Sequence, residues 1–389
     1  MSEPLTEAGI PGATLGVIGG GQLGRMMAEA AAPLGVDLVV SDPTPDCPAA
    51  SVATEQVVGD FDDPATVRRV ADKADVLTFE IELTDPDALE AAGEGAGIPV
   101  HPHPDTLRLI EDKLHQNRQF RDRGIPVPDF VAVDDRADLE AAADEFGYPL
   151  MCKARRGGYD GRGNFLVDGP DAIEPTLEAA PGPMLAERFV PFDREVSVIG
   201  VRGEDESAAF PAGENIHEEE ILRQTVVPAR TDDETLERAR AVAEDVLFEM
   251  SGRGVFGIEL FEVDGEILVN EVAPRPHNSG HWTIEGAHTS QFEQHVRAVL
   301  GAPLGEASLR DPVVTSNILG DVDEPRSAAP TGIRHVLERP GAHLHWYGKR
   351  EVRPLRKMGH VTVVPTVGEN VNGLEATARN LTDGISFRD

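Results

Sequence analysis

Apolar and polar positions follow two periods along the chain, and where each period rules decides the predicted elements. Short apolar runs at Leu15–Ile18, Val36–Val40 and Val76–Phe79 alternate with helical spacing over Leu23–Leu34 and Pro64–Ala71. That rhythm predicts parallel strands joined by crossover helices. Three prolines within Gly97–Pro104 mark the end of this first unit. Leu107, Ile110 and Leu114 then sit at helical spacing, with Gly124 and Pro126 just beyond, which predicts one helix over Thr106–Arg123.

The middle of the chain mixes both periods. Tyr148–Lys153 and Glu195–Val201 read as strands, and Asp232–Met250 as an amphipathic helix with Leu236, Ala239, Ala243, Val246, Leu247 and Met250 inward. Gly257–Glu262 and Glu266–Val272 predict a hairpin turning at Asp264-Gly265. Beyond about residue 310 the strands are short and broken by turn signals. The fold class is therefore α/β followed by α+β, in three units: residues 1–104, a parallel βαβ domain; 105–310, the central domain; and 311–389, a small β-rich domain.

Composition narrows what such a chain does. It has 389 residues, 69 acids against 35 bases and a formal charge of −34. That charge repels phosphodiester backbones and anionic lipid, so neither nucleic acid nor membrane is the expected partner. No apolar run is long enough to cross a bilayer, the first residues lack the basic opening of a signal peptide, and two cysteines build no disulfide framework. A cytoplasmic protein is expected. Of the 35 bases only five are lysines: Lys73, Lys113, Lys153, Lys349 and Lys357. Many carboxylates with few lysines is the surface of a protein that works at high salt, so positive clusters on this background carry chemical information.

Five stretches carry chemistry. Gly19, Gly21 and Gly24 form G-x-G-x-x-G after a strand, with Asp42 at the end of the next one, a pattern that serves a dinucleotide or simply tight helix packing. Lys153 precedes Gly157–Gly163, a glycine-rich loop containing Tyr159-Asp160; such a loop covers a polyphosphate while the lysine balances its charge. Glu259 and Glu271 lie on the two arms of the predicted hairpin. A two-residue turn sets Glu259 opposite Asn270, and one bulge sets it opposite Glu271. Acids in apolar strands need a cation, and hard oxygen donors suit Mg²⁺. Arg275, His277 and Asn278 follow in a proline-stiffened loop dense in donors, and Lys349–Lys357 packs five bases into nine residues. Within so negative a chain, that basic run suits a small phosphorylated substrate.

With these motifs in order, the chain resembles the ATP-grasp superfamily and, within it, the N5-carboxyaminoimidazole ribonucleotide synthases. Leu15–Met26, Gly158–Gly163, Asn270–Gly280 and His345–His360 carry the likeness. The resemblance implies a pre-ATP-grasp domain, an ATP-grasp domain and a β-rich C-terminal domain. It also implies ATP- and bicarbonate-dependent carboxylation of 5-aminoimidazole ribonucleotide through carboxyphosphate, giving ADP and phosphate. Another ATP-grasp ligase, such as formate-dependent glycinamide ribonucleotide transformylase, is the alternative. Residue by residue, it implies that Lys113 and Lys153 contact ATP phosphates under Gly158, Tyr159, Asp160, Gly161, Arg162, Gly163 and Asn164. Glu187, Arg188, Phe189 and Val190 would hold adenine, Glu195 the ribose, and His217 would lie near the nucleotide. Glu259 and Glu271 would hold Mg²⁺ with help from Asn270. Tyr159, Asp160, Arg275, Lys349 and Arg356 would receive the ribotide, with Asp160 at its amine and His277 and Asn278 facing bicarbonate. A homodimer is also implied.

Overall fold

The computed structural model describes residues 9–157, 163–180, 182–366 and 370–388. In the first unit four parallel strands run in the order Glu55–Val58, Asp37–Asp42, Thr14–Ile18, Val76–Phe79. Val100 bridges Leu77 in parallel at the far edge. Helices Gln22–Ala31 and Pro64–Ala71 cover the sheet as the apolar periods predict. Leu15, Val17, Leu23, Met27 and Val40 pack in one core, and Ile18, Val67, Leu77 and Phe79 in the core on the other face.

The central region holds two sheets. The smaller is antiparallel, in the order Phe130–Val133, Met184–Arg188, Leu150–Ala154, Asn164–Val167. The larger begins at the hairpin Gly254–Val263 and Glu266–Ala273, continues through Arg194–Arg202, Gly213–Glu218 and Ile221–Val227, and then takes in Val313–Leu319, Lys357–Val363 and Ala342–Trp346. The strands after residue 310, expected as a separate small unit, thus extend the central sheet through the pairing Val226↔Val314. Helix Val371–Asp383 seals that end with Leu374 and Ala378, both fully buried.

One predicted element divides. In place of a single helix over Thr106–Arg123 there are two, Pro104–Ile110 and Lys113–Asp122. The cause is Asp112, whose carboxylate accepts from the amides of Leu114 and His115 at 3.1 and 3.3 Å and starts the second helix afresh. Arg155 clamps the same carboxylate from the small sheet, with its Nε at 3.0 Å. This break places Lys113 in the first turn of a helix that points into the space between the two sheets.

Candidate active site

The two sheets meet over the hairpin. Its turn has Asp264 and Gly265 both at positive φ, 49° and 80°, and Val263 pairs with Glu266. That is a two-residue turn of the type whose twist matches the strands. The register nevertheless shifts between Glu259 and Leu260: Leu260 pairs with Val269 and Glu259 with Glu271, leaving Asn270 as the extra residue of a bulge. Neighbouring residues in a regular strand face opposite sides, and a bulge turns two of them the same way. Asn270 accepts from Lys153 Nζ at 3.0 Å and Glu271 pairs with Lys113 Nζ at 3.2 Å, so both face the same cleft.

Lys153 is buried, on strand Leu150–Ala154, and its ammonium also pairs with Glu187 at 2.8 Å. The other oxygen of Glu187 accepts from Asn117 Nδ2 at 3.1 Å. Two of the three ammonium N–H groups are so committed, and the third is available for a phosphate oxygen. The two hairpin glutamates differ electrically. Burial resists ionisation of Glu271, but Lys113 and Lys153 outweigh it and hold the carboxyl below its ordinary range. Glu259 has burial and the facing charge of Glu271 against it, and is pushed up to about 7. Two carboxylates opposed at one bulge, with an amide oxygen between them, are the donor types that a hard divalent cation takes. Among the described residues no cluster of three or more His, Cys, Asp or Glu is arranged to hold a metal ion.

Around this centre most of the expected residues gather. Glu195 touches His217 Nδ1 across the sheet. Burial works against protonation of that imidazole, but Glu195 prevails and raises it. His277 Nε2 stands 3.8 Å from Glu259, and burial keeps its imidazole neutral. Arg275 reaches back to the first domain, paired with Glu82, and donates to the carbonyl of Pro276 at 3.1 Å. Lys349 and Arg356 sit on the loop between the last two sheet strands. Lys349 Nζ donates to the carbonyl of Lys357 at 2.7 Å and Arg356 to that of Glu351 at 2.7 Å. Asn164 pairs with Lys153 across the small-sheet hairpin, whose loop closes at Gly163. Phe189 and Val190 lie partly exposed just past strand Met184–Arg188. Gly158, Tyr159, Asp160, Gly161 and Arg162 lie outside the described residues.

Two assignments change in character. The Arg188 guanidinium is directed away from the cleft, to Asp129 at 3.0 Å and over the ring of Phe146 at 5.0 Å, so only its backbone remains for an adenine. Strand alternation requires this once Glu187 faces Lys153. Asn278 exchanges its amide with that of Asn317, at 3.1 and 2.9 Å, and so ties the loop to the sheet.

Three residues that the sequence reading gave no role of their own contribute here. Glu80 accepts from the amides of Gly21 and Gly24, filling the anion position at the start of helix Gln22–Ala31. A Cβ on Gly19 would stand 2.4 Å from Glu80 Cγ, so the glycines are shaped around this carboxylate and a dinucleotide pyrophosphate is excluded from their amides. Lys357, at the head of its strand, acts electrostatically on Glu259, His217 and His277. Asn117 holds Glu187. The rarity of lysine is the signal that points to Lys357; for Glu80 and Asn117 the sequence holds none.

Comparison with known proteins identifies the family. Residues 12–111 match the ribonucleotide synthetase preATP-grasp domain, 118–292 the ATP-grasp domain and 314–373 the phosphoribosylaminoimidazole carboxylase C-terminal domain. The N5-carboxyaminoimidazole ribonucleotide synthase of Brucella melitensis is 41% identical over 357 residues, covering 90% of this chain and 96% of that protein. The chloroplastic phosphoribosylaminoimidazole carboxylase of Vigna aconitifolia is 40% identical over 96% of this chain, but the match spans 68% of its own length. In Schizosaccharomyces pombe the corresponding share is 64%. The crystal structure of N5-carboxyaminoimidazole synthase from Aspergillus clavatus in complex with ADP and 5-aminoimidazole ribonucleotide superposes with a TM-score of 0.87 at 34% identity, covering 96% of this chain and 99% of that one. The Thermus thermophilus synthetase gives 0.85 at 40%, covering 95% and 98%. The chain belongs to the N5-carboxyaminoimidazole ribonucleotide synthases, ATP-dependent ligases that carboxylate 5-aminoimidazole ribonucleotide with ATP and bicarbonate in purine biosynthesis.

Proposed function

We propose that this chain carries out that carboxylation in the cleft between the small sheet and the bulged hairpin, with the residue roles that follow. The observation that carries the reading is the convergence of Lys113, Lys153, Asn270 and Glu271 from three separate elements onto one point facing Glu259. Lys113 and Lys153 neutralise the ATP phosphates, while Glu187 and Asn270 fix the Lys153 ammonium so that no reorganisation is needed when charge shifts. Glu259, Glu271 and Asn270 hold Mg²⁺, which when bound supplies further positive charge to the phosphate oxygens. Glu195 and His217 meet the ribose side of the nucleotide, and Glu187 to Val190 the adenine.

Bicarbonate is a poor electrophile. Its oxygen attacks the γ-phosphorus, ADP leaves and carboxyphosphate forms. His277, neutral and beside Glu259, takes the bicarbonate end of this reaction, which its 3.8 Å distance from the hairpin acid supports. The ribotide's exocyclic amine then bonds to the carboxyl carbon as phosphate departs, and Asp160 accepts the amine proton. Arg275, held by Glu82, and the Lys349–Arg356 loop receive the ribotide, the last two on its phosphate, with Tyr159 alongside. Glu80 and the glycine turn support the same substrate from the first domain.

The test is phosphate release measured with and without bicarbonate and aminoimidazole ribonucleotide. The full rate requires both; release indifferent to either would overturn the reading. The chain works as a cytoplasmic homodimer, as the family resemblance implies, and at high salt, which its charge of −34 supports. Sedimentation and activity from low to multimolar salt check both points.

A further inference from the structure

The ammonium assigned to the substrate phosphate sits on a long loop, yet a phosphate site needs its cation held in place. Lys349 lies over the ring of Tyr347, its Nζ 5.6 Å from the centroid. Tyr347 is 1% exposed and packs with Leu23, Met27, Phe292 and Val296, so a side chain from the C-terminal segment is buried in the core of the first domain. The phenol oxygen lies 2.8 Å from His360 Nδ1. His360 is itself completely buried, stacked on the imidazole of His345 at 4.4 Å and 14° and tilted against that of His281 at 4.8 Å and 30°. His345 is tied to Glu285 at 2.7 Å, and His281 lies 3.3 Å from the amide of Gln291. Gln291 also donates to the carbonyl of His277 at 2.7 Å. A continuous buried column therefore runs from the loop at Arg275–His281 to the ring that carries Lys349.

Apolar packing alone would not require this column. A phenylalanine at 347 would fill the same core, and the Tyr347 hydroxyl, removed from water, stays only because it has a partner. The backbone N–H of Tyr347 bonds to the carbonyl of Met358 at 3.1 Å, which fixes the ring's Cα, and the His360 bond fixes its far end. With both ends held, the ring face is a fixed platform for the ammonium.

We propose that Tyr347, through its hydrogen bond to His360, is a positioning residue that holds the Lys349 ammonium where the ribotide's phosphate binds. The inference rests on the role given to Lys349 under the proposed function, and the experiment separates the two. Tyr347→Phe keeps the ring and the core packing and removes only the hydroxyl. It raises KM for aminoimidazole ribonucleotide roughly fivefold, while KM for ATP and the melting temperature stay near the parent values. The decisive measurement is the double-mutant cycle with Lys349→Ala: in that background Tyr347→Phe produces no further rise. His360→Leu, which removes the ring nitrogen from the other end of the bond, behaves in the same way. Additive effects of the two substitutions, or losses spread equally over both substrates, would reduce Tyr347 to a packing residue and overturn the inference while leaving the role of Lys349 intact. A Lys349→Ala enzyme with unchanged KM for the ribotide would overturn the phosphate assignment itself, and this inference with it.

Discussion

Glu259 and Glu271 are the same residue type paired directly across the hairpin, yet their environments separate them. Glu271 has Lys113 and Lys153 as neighbours and stays ionised, whereas Glu259 faces Glu271 and is raised to about 7. Replacing Glu271 with Gln removes the carboxylate that Lys113 and Lys153 keep ionised and leaves Lys113 without its partner. Turnover at ordinary Mg²⁺ should fall at least about a hundredfold, an electrostatic loss typical of a pre-organised charge. Phosphate release across a metal titration checks this, and an unchanged rate removes Glu271 from the metal site. At this scale much was legible, because scarcity is informative. Lys113, Lys153 and Lys357 act on the hairpin glutamates, whereas Lys73 is spent on a surface pair with Glu55 at 2.9 Å. The direction of Arg188 was not legible, since it follows from which face Glu187 takes, and that depends on pairing with strands distant in sequence.

Elements set how these residues face one another. The hairpin was readable from Asp264-Gly265 and its apolar flanks, but its register was not. A bulge costs one residue and leaves no compositional mark, and here it decides that Asn270 and Glu271 share a side. The break between helices Pro104–Ile110 and Lys113–Asp122 was likewise hidden, because apolar spacing runs through it and the cause is a cap that needs Arg155 from the small sheet. Asp112 is 6% exposed and carries both jobs. Replacing it with Ala should cost about 2 kcal/mol, the sum of a lost N-cap and a lost charged hydrogen bond, and should loosen ATP binding because Lys113 loses its fixed origin. Denaturant unfolding and ATP titration together test this. Loss of stability without loss of ATP affinity would make the cap a purely structural feature.

For the molecule as a whole, the three units are joined by buried imidazoles, and those set its response to acid. His295, completely buried, accepts from the amide of Val255 at 3.1 Å through Nδ1 and meets Thr78 of the first domain at 2.9 Å through Nε2. A proton on Nδ1 would break the first bond, and burial lowers its pKa to about 3. His101, His277, His281 and His360 are also lowered, in each case chiefly by burial. A base lowered in the folded state contributes stability above its unfolded pKa of 6.5 and loses it as pH falls toward the folded value, since only the unfolded chain takes the proton. Against these five stand three groups raised in the fold, His217, Glu80 and Glu259, which take protons before the unfolded chain does and act with the opposite sign. Below pH 6.5 His217 is charged in both states and drops out, so the five lowered imidazoles outnumber the two raised carboxyls, the unfolded chain holds more protons, and stability should fall as pH drops from 6.5 to 5. Replacing His295 with Gln removes one of these protons and should make the fall shallower, whatever it does to stability at neutral pH. Urea unfolding at several pH values, at constant high salt so that the net charge is screened, measures both slopes. A flat profile in the parent, or an equal slope in the variant, would show that the imidazoles joining the domains do not govern acid stability.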